Sequence, residues 1–214
     1  MTVRVKICGL TRLEDALAAA EAGADYLGFI HYDRSPRCVD PEAAAEIIAA
    51  LRRPHPSVRM VAVIVNEDVE KIRVIMQTGD YDYAQFSGKE SPEELRRLGG
   101  RAYKAIRPTS LEQAVVLADL FGNRSARPAL LLDADVAGLY GGTGKRADIA
   151  LASRLALDWD LMLAGGLNPK NVAEAVRQVR PWGVDVASGV ETSPGVKDHD
   201  MIKRFIANAK CSAI

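Results

Sequence analysis

Short apolar runs alternate with amphipathic stretches along the whole chain, and that rhythm sharply limits the folds open to it. The runs are Val3–Cys8, Asp25–Ile30, Val58–Val65, Asp82–Phe86, Ala102–Ile106, Ala129–Asp133, Asp160–Ala164 and Val184–Ala187, eight in all. The stretches between them carry a helical period: Leu13, Ala16, Leu17 and Ala20 fall at i, i+3, i+4 and i+7, one face of a 3.6-residue repeat. Strands that alternate with helices lie parallel, because each helix carries the chain back to start the next strand. Eight such units in 214 residues leave roughly 27 residues each, the size of a compact βα repeat. The rival is an open doubly wound sheet, which calls for G-x-G-x-x-G after its first strand. Here the first run ends Cys8-Gly9-Leu10-Thr11 instead. No linker, low-complexity tract or shift of composition divides the chain. The expected fold is therefore α/β, a single (β/α)8 TIM barrel, with residues 1–214 forming one domain.

Helix boundaries are marked in the sequence. Thr11 with Glu14 reads as a capping box, and so does Ser91 with Glu94, where Pro92 takes the first helical position. Asp40-Pro41 and Asn168-Pro169 are start signals of the same kind. Gly23, just before the second run, sits where a left-handed cap closes a helix.

Charge excludes several functions. Lys and Arg together number 28 and are matched by 28 Asp and Glu, so no basic excess exists to hold nucleic acid or an anionic membrane. Apolar runs such as Ala129–Leu132 are too short to span a bilayer, and the opening MTVRVKICGLTRLED lacks a signal-peptide pattern. Three widely spaced cysteines, Cys8, Cys38 and Cys211, suit neither a disulfide framework nor a zinc site. A reducing cytoplasm is the expected location, and a small molecule, with no nucleic acid and no membrane, the expected partner. A monomer is expected too, because a closed barrel leaves no strand edge to cover. Cys211–Ile214 reads as a frayed end.

In a βα barrel the active site gathers at the C-terminal ends of the strands. The first run ends in Cys8, and the second leads into Arg34, Ser35, Pro36 and Arg37. The fourth ends near Gln85 and Ser87, and the sixth ends in Asp133. Gly165-Gly166 follow the seventh, and Ser188-Gly189 the eighth. Small residues at those last two places let main-chain N–H groups close around a phosphate; the plainer reading of each pair alone is a tight turn. A thiol and a carboxyl on opposite sides of a barrel mouth can divide acid–base work over a small sugar, provided the cysteine acts as thiolate. The plainer readings are a small buried hydrophobe for Cys8 and a cap or loop salt bridge for Asp133. Arg37 can fork onto a carboxylate or be a solvated loop charge. Gly141-Gly-Thr-Gly-Lys145 lacks the spacing of a nucleotide-binding loop, and Arg146 stands where that loop has Ser or Thr; a flexible lid is the preferred reading.

From Val3 to Lys210 the chain resembles the phosphoribosylanthranilate isomerases. The carriers are Val5-Lys-Ile-Cys-Gly-Leu-Thr11, Gly23-Ala-Asp-Tyr-Leu-Gly-Phe29, Ser35-Pro-Arg37 and Leu131-Leu-Asp133. They continue with Gly141–Lys145, Ala164-Gly-Gly-Leu-Asn-Pro169, Val184-Asp-Val-Ala-Ser-Gly-Val-Glu191 and Lys197-Asp-His-Asp200. The resemblance implies an Amadori rearrangement of N-(5-phosphoribosyl)anthranilate in tryptophan biosynthesis. It makes Cys8 the general base, Asp133 the general acid and Arg37 the partner of the anthranilate carboxylate. Gly165, Gly166, Ser188 and Gly189 then hold the phosphate. It implies no metal and no organic cofactor, the substrate nitrogen serving as electron sink. Two positions depart from the family pattern: Ser87 stands where a histidine is common, and Cys38 where an aromatic is. The enzyme alternative is another phosphate-binding barrel isomerase or epimerase, and the non-enzyme alternative is a silent barrel that binds a phosphorylated ligand; turnover separates them.

Strand alternation extends the reading below the mouth. If Cys8 points inward, so does Lys6, and Leu131 lies beneath Asp133. The family pattern adds Lys104 and Asp185 to the interior. Buried charges need partners, so Asp185 is expected to pair with Lys6 or Lys104.

Overall fold

Each apolar run becomes a strand whose bounds shift by no more than one residue, in a computed structural model that describes residues 2–133 and 146–212. The strands are β1 (Arg4–Cys8), β2 (Tyr26–His31), β3 (Arg59–Ile64), β4 (Tyr83–Phe86), β5 (Ala102–Ile106), β6 (Leu130–Asp133), β7 (Leu161–Ala164) and β8 (Gly183–Val186). They pair in chain order, all parallel, and β8 closes on β1. Carried once around, the registers return to the starting strand displaced by eight residues, the stagger that an eight-stranded barrel of this class needs. The helices are α1 (Leu13–Glu21), α2 (Pro41–Arg52), α3 (Val69–Thr78), α4 (Pro92–Arg97), α5 (Leu111–Phe121), α6 (Arg146–Asp158), α7 (Val172–Val179) and α8 (His199–Cys211). A small antiparallel hairpin, β9 (Glu191–Ser193) and β10 (Val196–Lys197), follows β8.

Asp25 and Asp82 fall just outside their strands for a common reason. Each turns its carboxylate onto the first ladder amide of the preceding strand: Asp25 accepts from Val5 N at 2.9 Å and Asp82 from Met60 N at 2.8 Å. Each also takes an arginine from that strand, Arg4 and Arg59 respectively.

The cap expectations divide. Ser91 and Glu94 form the full capping box, and Asp40 caps α2 through the amides of Glu42 and Ala43. Gly23 has φ +95°, and the Gly23 N→Ala20 O and Ala24 N→Ala19 O bonds complete a Schellman stop. Thr11 does not cap α1: its hydroxyl donates to Gly195 O at 2.7 Å, and Arg12 occupies the cap position without a side-chain bond to the helix's free amides. Asn168-Pro169 opens a turn, not a helix. Asn168 N donates to Asn171 Oδ1 at 2.8 Å, and α7 begins only at Val172. The tail residue Cys211 is the last of α8 rather than part of a frayed end.

Alternation gives two cores. Ile7, Leu27, Phe29, Met60, Ile64 and Phe86 face the helices. Cys8, Val61, Val63, Tyr103, Leu131 and Met162 fill the lumen, whose base is set by Tyr26, Tyr83 and Trp182, with ring centroids 6.1 and 5.8 Å from Tyr26. On α1 the buried face centres on Ala16, Ala19 and Ala20, and Leu13 stays 38% exposed. Among the described residues no helix is long and apolar enough to cross a membrane.

Candidate active site

The lumen charges sort by strand parity. Lys6 Nζ reaches Asp185 Oδ2 at 3.0 Å and Gln85 Oε1 at 2.9 Å, with its side chain wholly buried. Burial alone pulls the Lys6 ammonium down, but the field of Asp185, reinforced by Cys8 and Tyr103, more than reverses this and holds the lysine charged. Asp185 Oδ1 is buried without a partner. Lys104 corrects the expectation. Tyr103 and Ala105 face the lumen, so Lys104 must point outward. There it meets Glu90 Oε2 at 2.6 Å and Gly88 O at 2.8 Å, with Phe121 stacked 5.3 Å from its ammonium. Asp185 therefore pairs with Lys6, and Lys104 braces the loop after β4.

Cys8 closes β1 at the rim, 5% exposed. Room for its sulfur comes from β2: a Cβ on Gly28 would lie 2.8 Å from Sγ and 3.0 Å from Lys6 Cε. Burial pushes the Cys8 thiol up from its ordinary value; Lys6 and Lys197 oppose the rise and Asp185 adds to it. Asp133 ends β6, half-buried, and Arg107 Nε donates to its Oδ2 at 2.7 Å. The salt-bridge alternative for Asp133 is thus realised, while its other oxygen, Oδ1, has no hydrogen bond among the described residues. Arg107 also reaches Ser87 O at 3.2 Å. The residues after Asp133, including the Gly141–Lys145 segment read as a lid, lie outside the described residues.

Arg37 stands at the mouth but not as a free fork. Nε and Nη2 already grip Glu191, at 2.8 and 2.7 Å, leaving Nη1 without a hydrogen bond among the described residues. Glu191 belongs to the hairpin after β8 and is shared with Lys197 at 2.8 Å. Neither of these two, nor Arg107, stood out in the sequence as a site residue. Their charge alone is ordinary in a loop, and what marks Glu191 and Lys197 is burial, which one sequence does not print.

The loops after β7 and β8 lie against each other. Gly165 and Gly166 have φ +98° and +61°, and a Cβ on Gly189 would fall 1.9 Å from Leu167 O. Gly189 is needed for that close packing whatever it binds. Ser188–Val190 form a 3₁₀ turn. The main-chain N–H groups of Gly166, Ser188 and Gly189 donate to no acceptor among the described residues, the condition in which amides can receive an anion. Gln85 and Ser87 face the same side, joined by a 3.0 Å bond from Nε2 to Oγ. Among the described residues no three His, Cys, Asp or Glu side chains gather as metal ligands.

The architecture and the sequence have known relatives. Residues 5–208 match the family model described as N-(5'phosphoribosyl)anthranilate (PRA) isomerase. An N-(5'-phosphoribosyl)anthranilate isomerase of Trichlorobacter lovleyi is 45% identical over 97% of this chain and 98% of its own. One from Thiobacillus denitrificans is 45% identical over 99% and 100%. A crystal structure of phosphoribosyl anthranilate isomerase from Thermotoga maritima superposes with TM-score 0.85 at 42% identity, covering 98% of this chain and 99% of that one. A further structure, solved in complex with reduced 1-(o-carboxyphenylamino)-1-deoxyribulose 5-phosphate, superposes with TM-score 0.82 at 40% identity over 98% and 99%.

Proposed function

The chain belongs to the N-(5'-phosphoribosyl)anthranilate isomerase family, and from that premise we propose how its residues divide the Amadori rearrangement it catalyses in tryptophan biosynthesis. The observation that carries the assignment is the placement of Cys8 and Asp133: both close inward-facing positions at the C-terminal rim, on β1 and β6, with the unbonded amides of the β7 and β8 loops at the same end.

Asp133 delivers a proton to the furanose ring oxygen through Oδ1, the oxygen that Arg107 leaves open. The C1′–O bond breaks, and the nitrogen lone pair forms the iminium. Cys8, as thiolate, removes the C2′ proton, and the C–H electrons return to nitrogen to give an enolamine. Proton gain at C1′ and loss from the C2′ hydroxyl then yield 1-(2-carboxyphenylamino)-1-deoxyribulose 5-phosphate, an isomer of the substrate with no net gain or loss of atoms. Arg37 meets the anthranilate carboxylate through Nη1, and the amides of Gly166, Ser188 and Gly189, in the turn begun by Gly165, hold the phosphate. With burial pushing the Cys8 thiol up, the thiolate grows as pH rises, so kcat/KM should climb toward alkaline pH.

Residues 1–214 act as one domain and one subunit in this reading. Three free thiols, Cys8, Cys38 and Cys211, support a reducing, cytoplasmic setting.

Turnover of N-(5-phosphoribosyl)anthranilate tests the assignment. Cys8→Ala and Asp133→Asn should each lower kcat by ~10²–10⁴-fold, the range for a lost general base or acid, with circular dichroism unchanged. Near-wild-type turnover in both variants would overturn it.

A further inference from the structure

Glu191 and Lys197 take no part in the proton transfers above, yet they link Cys8, the start of the β8 turn and Arg37. The Lys197 side chain is 0% exposed and that of Glu191 4%. A buried ammonium is tolerated only when its protons are all satisfied. Lys197 Nζ donates to Cys8 O at 2.6 Å, Ala187 O at 3.0 Å and Glu191 Oε1 at 2.8 Å. Two of those acceptors are main chain at the reaction centre: Cys8 is the base, and Ala187 immediately precedes Ser188 of the phosphate turn. Glu191 then carries the connection outward by accepting both Nε and Nη2 of Arg37. The Arg37 stem lies across Gly9, where a Cβ would sit 2.7 Å from Cδ. The hairpin itself is anchored, since Lys197 N donates to Asp15 Oδ2 at 3.0 Å and Thr11 holds Gly195 O.

We infer that Glu191 and Lys197 are positioning residues of the isomerase. Lys197 fixes the main chain at Cys8 and Ala187 and places an ammonium, which burial pulls down and Glu191 supports, beside the thiol. Glu191 occupies the fork of Arg37, so that Nη1 alone is presented to the substrate's carboxylate. This rests on the roles given above to Cys8 and Arg37. The charged and titratable groups around Cys8 are Lys6 on its own strand, Asp185 from β8, the neutral Tyr103 from β5, Lys197 from the hairpin and Arg37 from the loop after β2. Of the cations among them, Lys197 is the one bound to the Cys8 main chain. A cation beside a thiol favours the thiolate, so its removal must shift base catalysis to higher pH.

The experiment compares Lys197→Met, Lys197→Arg and Glu191→Gln with wild type, each checked by circular dichroism, with Lys197→Gln as the replacement should the methionine variant not fold. In Lys197→Met the acid limb of the pH profile of kcat/KM should move upward by about one pH unit, and Lys197→Arg should bring it back. In Glu191→Gln, KM for the natural substrate should rise on the order of 10-fold with kcat nearly kept. A phosphoribosyl-aniline analogue without the carboxylate should show no such rise. An unmoved acid limb, or an equal rise in KM for both substrates, would reduce the pair to a brace for the fold. Cys8→Ala in the same assays separates the two levels. If it is inactive while the Lys197→Met limb stays put, the positioning role alone fails; if it turns over normally, the assignment beneath it fails as well.

Discussion

Ser87 follows β4 at the barrel mouth, and its surroundings say how much it matters. Its hydroxyl accepts from Gln85 Nε2, while Gln85 Oε1 accepts from Lys6 Nζ and from the Tyr103 hydroxyl at 3.1 Å. Ser87 therefore terminates a polar chain that starts at the Asp185–Lys6 pair, and proton transfer is left to Cys8 and Asp133. Ser87→Ala should lower kcat/KM by about 1 kcal/mol, the worth of one neutral hydrogen bond. Measured beside Cys8→Ala in one assay, a loss at Ser87 of the same size as that at Cys8 would place part of the chemistry on β4. At this scale the sequence was informative where a short-range rule applies. A side-chain period of two puts Lys6 under Cys8 and Leu131 under Asp133, and both stand so. It was uninformative where both faces of a strand are apolar. Ala102–Ile106 is buried on either side, so nothing local told Lys104 which way to point. It was silent, too, on the partners of Arg37 and Cys8, which lie 154 and 189 residues away along the chain.

The loop from β2 to α2 shows how an element can deliver a side chain without being regular itself. Arg37 sits between two fixed ends: Cys38 bridges Ile30 in parallel, and Val39 N donates to Ile30 O at 3.0 Å. His31, the last residue of β2, locks the arrangement. Val39 O can only accept, so the Nδ1 facing it at 3.0 Å carries the proton, and Nε2 accepts from the Tyr81 hydroxyl at 2.8 Å. Protonation of His31 would reverse that second bond, with the Tyr81 oxygen accepting, and would put a charge into a buried site; burial pushes its pKa below the ordinary value. The sign follows from linkage. With the folded value depressed, the contribution of His31 to stability is complete above the unfolded value of about 6.5 and drains away as pH falls below it. Wild type should therefore lose Tm between neutral pH and pH ~5 more steeply than His31→Gln, as followed by thermal melts across that range. Parallel slopes for the two proteins would show that the loop is locked by other means. Elements were legible where their caps are closed by neighbours in sequence, as at Ser91 and Asp40. They were misread at Thr11, where a carbonyl far along the chain took the hydroxyl, and at Asn168, whose side chain accepts from Lys170 N in a turn that precedes the helix.

On the scale of the whole molecule, closure decides most of the behaviour. The eight strands leave no open edge, so the pressure that drives exposed strands to pair with another copy is absent. Among the described residues the lumen buries one ion pair, Lys6 with Asp185, above an aromatic base, and the outer apolar faces of the strands pack on the helices. Closure was readable from the count of eight runs and their spacing, because that count leaves an eight-fold barrel as the economical way to pair every strand. Association with a second copy is a separate matter, governed by the outer faces of the helices. Among the described residues, large apolar side chains are exposed on α1, on α3 and on one flank where Val116 and Leu120 of α5 and Leu157 of α6 stand at 62, 52 and 81% exposure. That flank is interrupted: Ala114 and Ala118 of α5 turn inward, and α6 also bears the Arg154–Asp158 ion pair. An apolar surface interrupted in this way is a poor match to the continuous apolar core of a stable interface between copies. The chain should thus sediment as a single subunit at micromolar concentration. Leu157→Lys should leave that mass unchanged and alter stability by less than about 0.5 kcal/mol, as for a surface change remote from any special feature. A wild-type dimer that Leu157→Lys splits into single subunits would show that this flank is an interface after all, and that closing the barrel did not settle the assembly.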